Sequence, residues 1–226
     1  MVERGATYRR VKLDDYSTPA YSVLAVVAHL ERLERDTRGL SECERIRPLG
    51  EYVFDPCAGR GRLVKALLSI GRVVQGRDLR RDRYDFLGDD PYIQPGEYDI
   101  LTNPPYGGGG RTALRFIEQA VHMVRPWLGQ VVMLLPADFD SGVTRTHVFE
   151  HQAFAHKVVL TRRIKWFDNQ SGSTNHAWYV WDWRHAGPAT MSWMEGVPRL
   201  SSRHSLGRAT TPRAGLEDPQ PITGGS

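Results

Sequence analysis

The sequence predicts an α/β protein built on a mostly parallel sheet with helices on both faces. Three observations carry this expectation. Short apolar segments alternate with stretches of helical periodicity along the chain. Some of those segments, such as the one at 130–135, are almost continuously apolar, as strands covered on both faces are. The length, 226 residues, suffices for one substantial core and falls short of a second full domain.

Residues 1–15 read as a charged arm. In Ser17-Thr18-Pro19 a hydroxyl residue takes the N-cap position and proline the first helical position. Val23, Val26, Val27, Leu30 and Leu33 then recur at helical spacing, which predicts a helix over 19–35, followed by a polar connector at 37–50. Tyr52-Val53-Phe54 predicts the first strand, and Leu63, Leu67 and Ile70 share a helix face that Gly71 ends. Strands follow at 72–75 and 98–102, and Leu114, Ile117, Val121 and Val124 mark the next helix. Further strands are expected at 130–135, 157–161 and 177–183, with a helix at 146–154. From Pro198 the chain turns to Ser, Arg, Gly, Pro and Thr, which predicts an unstructured tail. The expected division is an arm at 1–15, one domain at 16–197 and a tail at 198–226.

A hydrophobic content of 40% with 25% charged residues is ordinary for a soluble globular protein. No apolar run approaches bilayer length and the first residues are polar and basic, so an intracellular protein away from the membrane is expected. The two cysteines, Cys43 and Cys57, exclude a disulfide framework and a cysteine-based zinc site. The eight histidines are scattered, and no metal is expected. The net charge of +4, carried mostly by arginine, suits a polyanionic partner as well as it suits a plain solvated surface.

In an open α/β sheet, ligands bind beyond the carboxyl ends of the strands. Four stretches fall at such ends. The first is FDPCAGRGRL at 54–63, where Gly59 and Gly61 permit a tight turn before a helix N-terminus. It is not the dinucleotide pattern, because Val64 stands where a third glycine belongs. The second is Asp78, placed to accept from ribose hydroxyls, although it also reads as a surface carboxylate. The third is Asp85-Phe86, a carboxylate and a ring suited to an adenine, or equally a loop aspartate beside a core phenylalanine. The fourth is DILTNPPYGGGG at 99–110. There Asn103 offers a carbonyl oxygen, Pro104 and Pro105 fix a main-chain carbonyl, and Tyr106 offers a flat face. Two aimed acceptors and a ring suit an exocyclic amine on a planar base.

Taken in order, DPCAGRG, an acidic residue, DF and NPPY resemble the motif series of class I S-adenosylmethionine-dependent methyltransferases. More narrowly, the chain is similar to the amino-methyltransferases that modify N6 of adenine in DNA, in their gamma-type motif order. Tyr16-Ser17-Thr18-Pro19 matches the motif that precedes the glycine turn in some of them. The likeness covers roughly 16–183 and implies a Rossmann-like, mostly parallel seven-stranded sheet.

The resemblance further implies that Tyr16, Thr18 and Pro19 flank the methionyl end of S-adenosylmethionine, the cofactor, which leaves as S-adenosylhomocysteine. Asp55, Pro56, Cys57, Ala58, Gly59 and Gly61 would form the cofactor turn, with Asp78 on the ribose and Asp85 and Phe86 on the adenine. Asn103, which would also touch the cofactor, and the Pro104 carbonyl would accept from the target amine. Pro105 would brace the turn and Tyr106 would stack on the target base. No strong base is then needed. Because a stacked base cannot reach such a pocket, the target would be flipped out or single-stranded. Arg111 and an aromatic residue at 162–181, Phe167 or Trp166, would complete the substrate side. The expected partner is double- or single-stranded DNA, in the cytoplasm of a bacterium or of a phage-infected cell. No room is left for a separate sequence-reading domain, as in small stand-alone enzymes such as those encoded by phages. Methylation of RNA adenine, of cytosine N4 or of a protein glutamine stays open, as does a catalytically silent nucleic-acid-binding module.

Overall fold

The protein is described by a computed structural model, in which residues 17–88, 96–167 and 170–194 are described. The predicted arm at 1–15 and the tail from Pro198 lie outside the described residues. Strands β1 (Tyr52–Asp55), β2 (Val73–Gly76), β3 (Asp99–Thr102) and β4 (Gln130–Pro136) run parallel to one another. Strand β5 (Phe154–Leu160) is followed by a small hairpin of β6 (Lys165–Phe167) and β7 (Gln170–Ser171). Strand β8 (His176–Asp182) then inserts antiparallel between β4 and β5, and β9 (Thr190–Met194) adds parallel to the outer edge of β5. The order is β2-β1-β3-β4-β8-β5-β9, a seven-stranded sheet in which β8 alone runs against the rest.

Alternation along each strand divides the interior into two cores. Val132 and Leu134 of β4 and Trp178 and Val180 of β8 face helices α1 (Ala20–Asp36) and α2 (Arg62–Leu68). Val131, Met133 and Leu135, with Ala177, Tyr179 and Trp181, face helix α4 (Arg111–Val124). A short helix α3 (Leu79–Asp82) follows β2, and a single turn α5 (Thr146–Phe149) precedes β5.

Three expectations need correction. Pro19 stands at the N-cap of α1 and not at its first helical position, because its ψ of 139° is extended. The helix expected over 146–154 is one turn long, since the chain must straighten by Phe154 to enter β5. The edge strand β9 went unpredicted: its pattern leaves Met191 and Trp193 exposed, so no apolar run marks it.

One ionic cluster ties the connector after α1 to the sheet. Arg47 donates to both carboxylate oxygens of the buried Asp182, at 2.9 and 3.1 Å, and lies 3.7 Å from Asp99. Asp99 in turn accepts from the backbone N–H groups of Gly50 and Gln130, both at 2.7 Å. Arg47→Ala leaves two buried carboxylates without their cation, so it should cost about 3 kcal/mol. Urea denaturation checks this, and an unchanged midpoint would refute it.

Candidate active site

The strand ends meet where the sequence expects. The carboxyl ends of β1, β2 and β3 open onto a cleft of about 710 Å³. Its wall includes Thr18, the Asp55-Pro56-Cys57-Ala58-Gly59 turn, Asp78, Asp85, Phe86, Asn103 and Pro105. Four stretches far apart in sequence therefore share one cavity. A second groove, about 640 Å³, opens at the opposite ends of the same strands, beside Arg47, Tyr52 and Trp127. It contains none of the predicted site residues.

The remaining predicted residues that are described lie off the cleft wall. Gly61 is buried at the N-cap of α2 with φ +74° and closes the turn through its N–H to the Ala58 carbonyl, 2.6 Å. Pro19 and Pro104 are buried, Tyr106 is half-buried and Arg111 is exposed. Tyr16 lies outside the described residues, as does the side chain of Phe167.

The missing third glycine has a structural answer. A Cβ on Gly76 of β2 would meet Val64 Cγ2 at 2.6 Å and Ala58 Cβ at 3.0 Å. Close packing of α2 on the strand thus rests on a glycine in the strand, and Val64 in the helix fills the space it leaves.

Asp78 does more than project into the cleft. Its Oδ2 accepts from the Gly59 N–H at 2.9 Å and its Oδ1 from the Arg80 N–H at 3.0 Å. It therefore caps α3 and locks the glycine turn to the next strand end. Each oxygen keeps a lone pair for a further donor. Asp85 accepts from the Leu87 N–H at 3.0 Å, which fixes the following turn. Phe86 is nearly buried against Phe116, with centroids 4.9 Å apart, so it presents only its margin to the cleft.

Asp55 is the unusual group. It is 1% exposed, and its Oδ1 accepts from Thr102 Oγ1 at 2.8 Å and from the Cys57 N–H at 3.1 Å. Its Oδ2 is buried without a hydrogen-bond partner. Burial pushes this carboxyl up to about 7, against the hydrogen bonds from Thr102 and Cys57. Burial and the neighbouring Asp55 also push the Cys57 thiol well up, so it is no nucleophile at neutral pH.

At the end of β3 the Tyr106 hydroxyl lies 3.2 Å from Asn103 Oδ1 and 3.3 Å from the Leu134 carbonyl, able to donate to either. The Tyr106 ring lies 6.2 Å from the imidazole of His176, which in turn meets Trp166 edge-on at 5.2 Å. Burial holds His176 down at about 4, so this imidazole is neutral near pH 7.

Sequence reasoning missed Thr102, Tyr84, Thr112 and Arg115. Thr102 had a signal, as a hydroxyl residue just before Asn103. Tyr84, Thr112 and Arg115 reach the cleft wall only through folding.

No known family profile and no curated protein matches the sequence. Solved structures do. A protein of Listeria monocytogenes assigned to the class I S-adenosylmethionine-dependent methyltransferases superposes with a TM-score of 0.53 at 14% identity, over 81% of this chain and 67% of that one. The methyltransferase subunit of a type I restriction-modification system from Streptococcus thermophilus gives 0.51 at 16%, over 76% of this chain and 46% of that one. A protein of Pyrococcus horikoshii assigned as an RNA methyltransferase gives 0.50 at 18%, over 79% and 92%. The chain thus spans less than half of the restriction-modification subunit. At these identities the likeness concerns the fold, and that fold is the class I methyltransferase fold.

Proposed function

We propose that the protein methylates the exocyclic N6 amine of adenine in DNA, with S-adenosylmethionine as methyl donor. The observation that carries the reading is the convergence of the Asp55–Gly59 turn, Asp78, Asp85-Phe86 and Asn103 on one cleft. That cleft's 710 Å³ suits a cofactor-sized ligand, for which about 300–1,000 Å³ is usual. The donor set fits as well: the orphaned Asp55 Oδ2 lacks a proton donor, Asp78 retains acceptor capacity, and Tyr84 and Phe86 give an aromatic wall.

When bound, the cofactor supplies a methyl group on a positively charged sulfur. The chain's own residues then act on the amine. Asn103 Oδ1 and the Pro104 carbonyl accept its two N–H groups, which draws its lone pair out of conjugation with the ring. Pro104 and Pro105 restrict the backbone so that this geometry is ready before the substrate arrives. The Tyr106 ring forms one wall for the target base, backed by His176 and Trp166. Its hydroxyl bridges the Asn103 carboxamide and the end of β4, which orients the acceptor.

Tyr106→Phe keeps the wall and removes the bridge. It should lower kcat about five- to tenfold, the effect of one hydrogen bond of about 1 kcal/mol, with cofactor Kd unchanged. Tyr106→Ala should fall much further. Equal activity of Tyr106→Phe and wild type in steady-state assays would remove the bridge from the mechanism.

A second reading, methylation of RNA adenine, draws on the Pyrococcus neighbour, of whose length this chain spans 92%. One experiment separates the readings. The purified protein is incubated with labelled S-adenosylmethionine and duplex DNA, single-stranded DNA, RNA or a protein extract, and the labelled polymer is digested to its units. N6-methyladenine from DNA is the expected product. Label in RNA or in a protein glutamine would overturn the DNA assignment.

A further inference from the structure

Beside the glycine run, an arginine is planted in a built slot without an ion-pair partner among the described residues. Strand β4 is followed by two 3-10 turns, Phe139–Ser141 and Val143–Arg145. The Arg145 guanidinium lies over the Phe139 ring, 4.2 Å from its centroid. A Cβ on Gly142 would collide with its Nη2 and come within 2.6 Å of its Nε. A Cβ on Gly110 would come within 2.9 Å of its Nη1 and 2.8 Å of Phe139. One ring and two glycines thus form a flat slot for this cation.

Among the described residues the slot contains no counter-charge. Arg145 Nε is buried without a hydrogen-bond partner. The acidic residue of the same turns, Asp140, is already engaged by Lys157 and by the Tyr179 hydroxyl. An ordered arginine ordinarily recovers its lost rotamer freedom through a bidentate partner, and the described residues offer none.

The surroundings extend the positive charge toward the cleft. Gly110, which touches the slot, ends the run that begins after Tyr106 and stands at the N-cap of α4. Arg111 and Arg115 lie four residues apart on one face of α4, and Arg115 lines the cleft. Neither has an ion-pair partner among the described residues. A single small anion would need only one such cation. A row of them from the cleft to the slot suits a chain of phosphates.

We propose that Arg145 binds a phosphodiester of the polynucleotide substrate, next to the nucleotide whose base enters the Asn103 pocket. The planar cation, stacked on Phe139, presents its outer N–H edge to the phosphate oxygens. The glycines at 110 and 142 hold it in that pose. This site rests on the nucleic-acid reading above and adds to it the residue that grips the backbone.

The test measures fluorescence anisotropy with labelled oligonucleotides of one sequence, as single-stranded DNA, duplex DNA and RNA, across a series of KCl concentrations. Arg145→Ala should weaken binding about tenfold and make the slope of log K against log salt shallower by about 0.7–0.9, one phosphate contact. Gly142→Ala is the sharper variant, because it removes no charge. With φ −92° and ψ 124° its backbone accepts a side chain, so the added methyl displaces the guanidinium alone. It should reproduce the affinity loss of Arg145→Ala, with S-adenosylmethionine binding unchanged in both.

Should the wild type bind an oligonucleotide while Arg145→Ala matches it in affinity and slope, the arginine assignment fails and the nucleic-acid reading stands. If the wild type binds none of the three polymers even at low salt, the nucleic-acid reading fails and takes the site with it. The three probes also identify which polymer supplies the phosphate.

Discussion

Asn103→Ala should abolish methyl transfer while leaving S-adenosylmethionine binding nearly intact. Asn103 reaches the cleft from the end of β3, next to Thr102, whose hydroxyl donates to the buried Asp55. Its carboxamide oxygen is an acceptor aimed by a rigid Pro-Pro turn and held by the Tyr106 hydroxyl. Removal of one preorganised polar contact to a reacting group costs on the order of 10²–10³ in kcat. The loss here should reach at least that, because alanine also removes one of the two acceptors of the Tyr106 hydroxyl. Cofactor affinity should stay within a few-fold, since the Asp55 turn and Asp78 are untouched. Calorimetry for binding and label transfer for activity measure the two quantities separately. Parallel loss of both would make Asn103 a binding residue and leave the amine without its acceptor.

The sequence made the site more legible than the sheet. Asp55, Gly59, Asp78 and Asn103 each stand at or just after a short apolar run, and in a parallel sheet the carboxyl ends of neighbouring strands must lie together. Their convergence is a consequence of topology, and topology follows from alternation of strands and helices. What local pattern does not encode is direction. Nothing in the apolar run His176–Asp182 says that it enters antiparallel between β4 and β5, because a strand buried on both faces reads the same in either sense. Nor does Thr190–Met194 announce an edge strand, with Met191 and Trp193 left exposed.

At the site itself, the sequence offers candidate residues and leaves open what some of them touch. The sequence reads Tyr106 as a flat face and is silent on its hydroxyl, which is tied to the strand end, and on His176, whose ring lies 6.2 Å from its own. For Phe86 the sequence leaves a ligand-facing ring and a core phenylalanine equally open, and most of its ring belongs to the core with Phe116. Contacts between side chains 30 or more residues apart leave no trace in spacing. Gly76 is the instructive case: the glycine that a helix–strand crossing needs stands on the strand, where a helix-based pattern does not look for it.

Asp55→Asn should make the protein more stable above pH 7 and weaken its hold on the cofactor. The wild-type carboxyl is 1% exposed with Oδ2 unpartnered, and burial raises its pKa to about 7, against the hydrogen bonds from Thr102 and Cys57 and with Asp78 adding to the rise. In the unfolded chain an aspartate titrates near 3.9. A folded pKa above the unfolded one means that Asp55 contributes its full stability below about pH 4. That contribution is lost as pH climbs through about 7, so by pH 8 the fold holds a buried charge with too few donors. A three-unit difference corresponds to about 4 kcal/mol, an order-of-magnitude figure. Asparagine keeps an acceptor for Thr102 and Cys57 and never ionises. Its melting temperature should exceed that of wild type by about 8–16 °C at pH 8, by less at pH 5, and converge with it near pH 4. The function side runs the other way. A donor on the bound ligand that satisfies Oδ2 favours the carboxylate, so wild-type binding at pH 6 should release a fraction of a proton. Calorimetry in buffers of different ionisation enthalpy reads that release, and the asparagine variant should show none and bind at least tenfold more weakly. Melting curves that keep the same separation from pH 5 to pH 9 would show that Asp55 does not titrate in this range, and would remove it as the anionic partner of the cofactor.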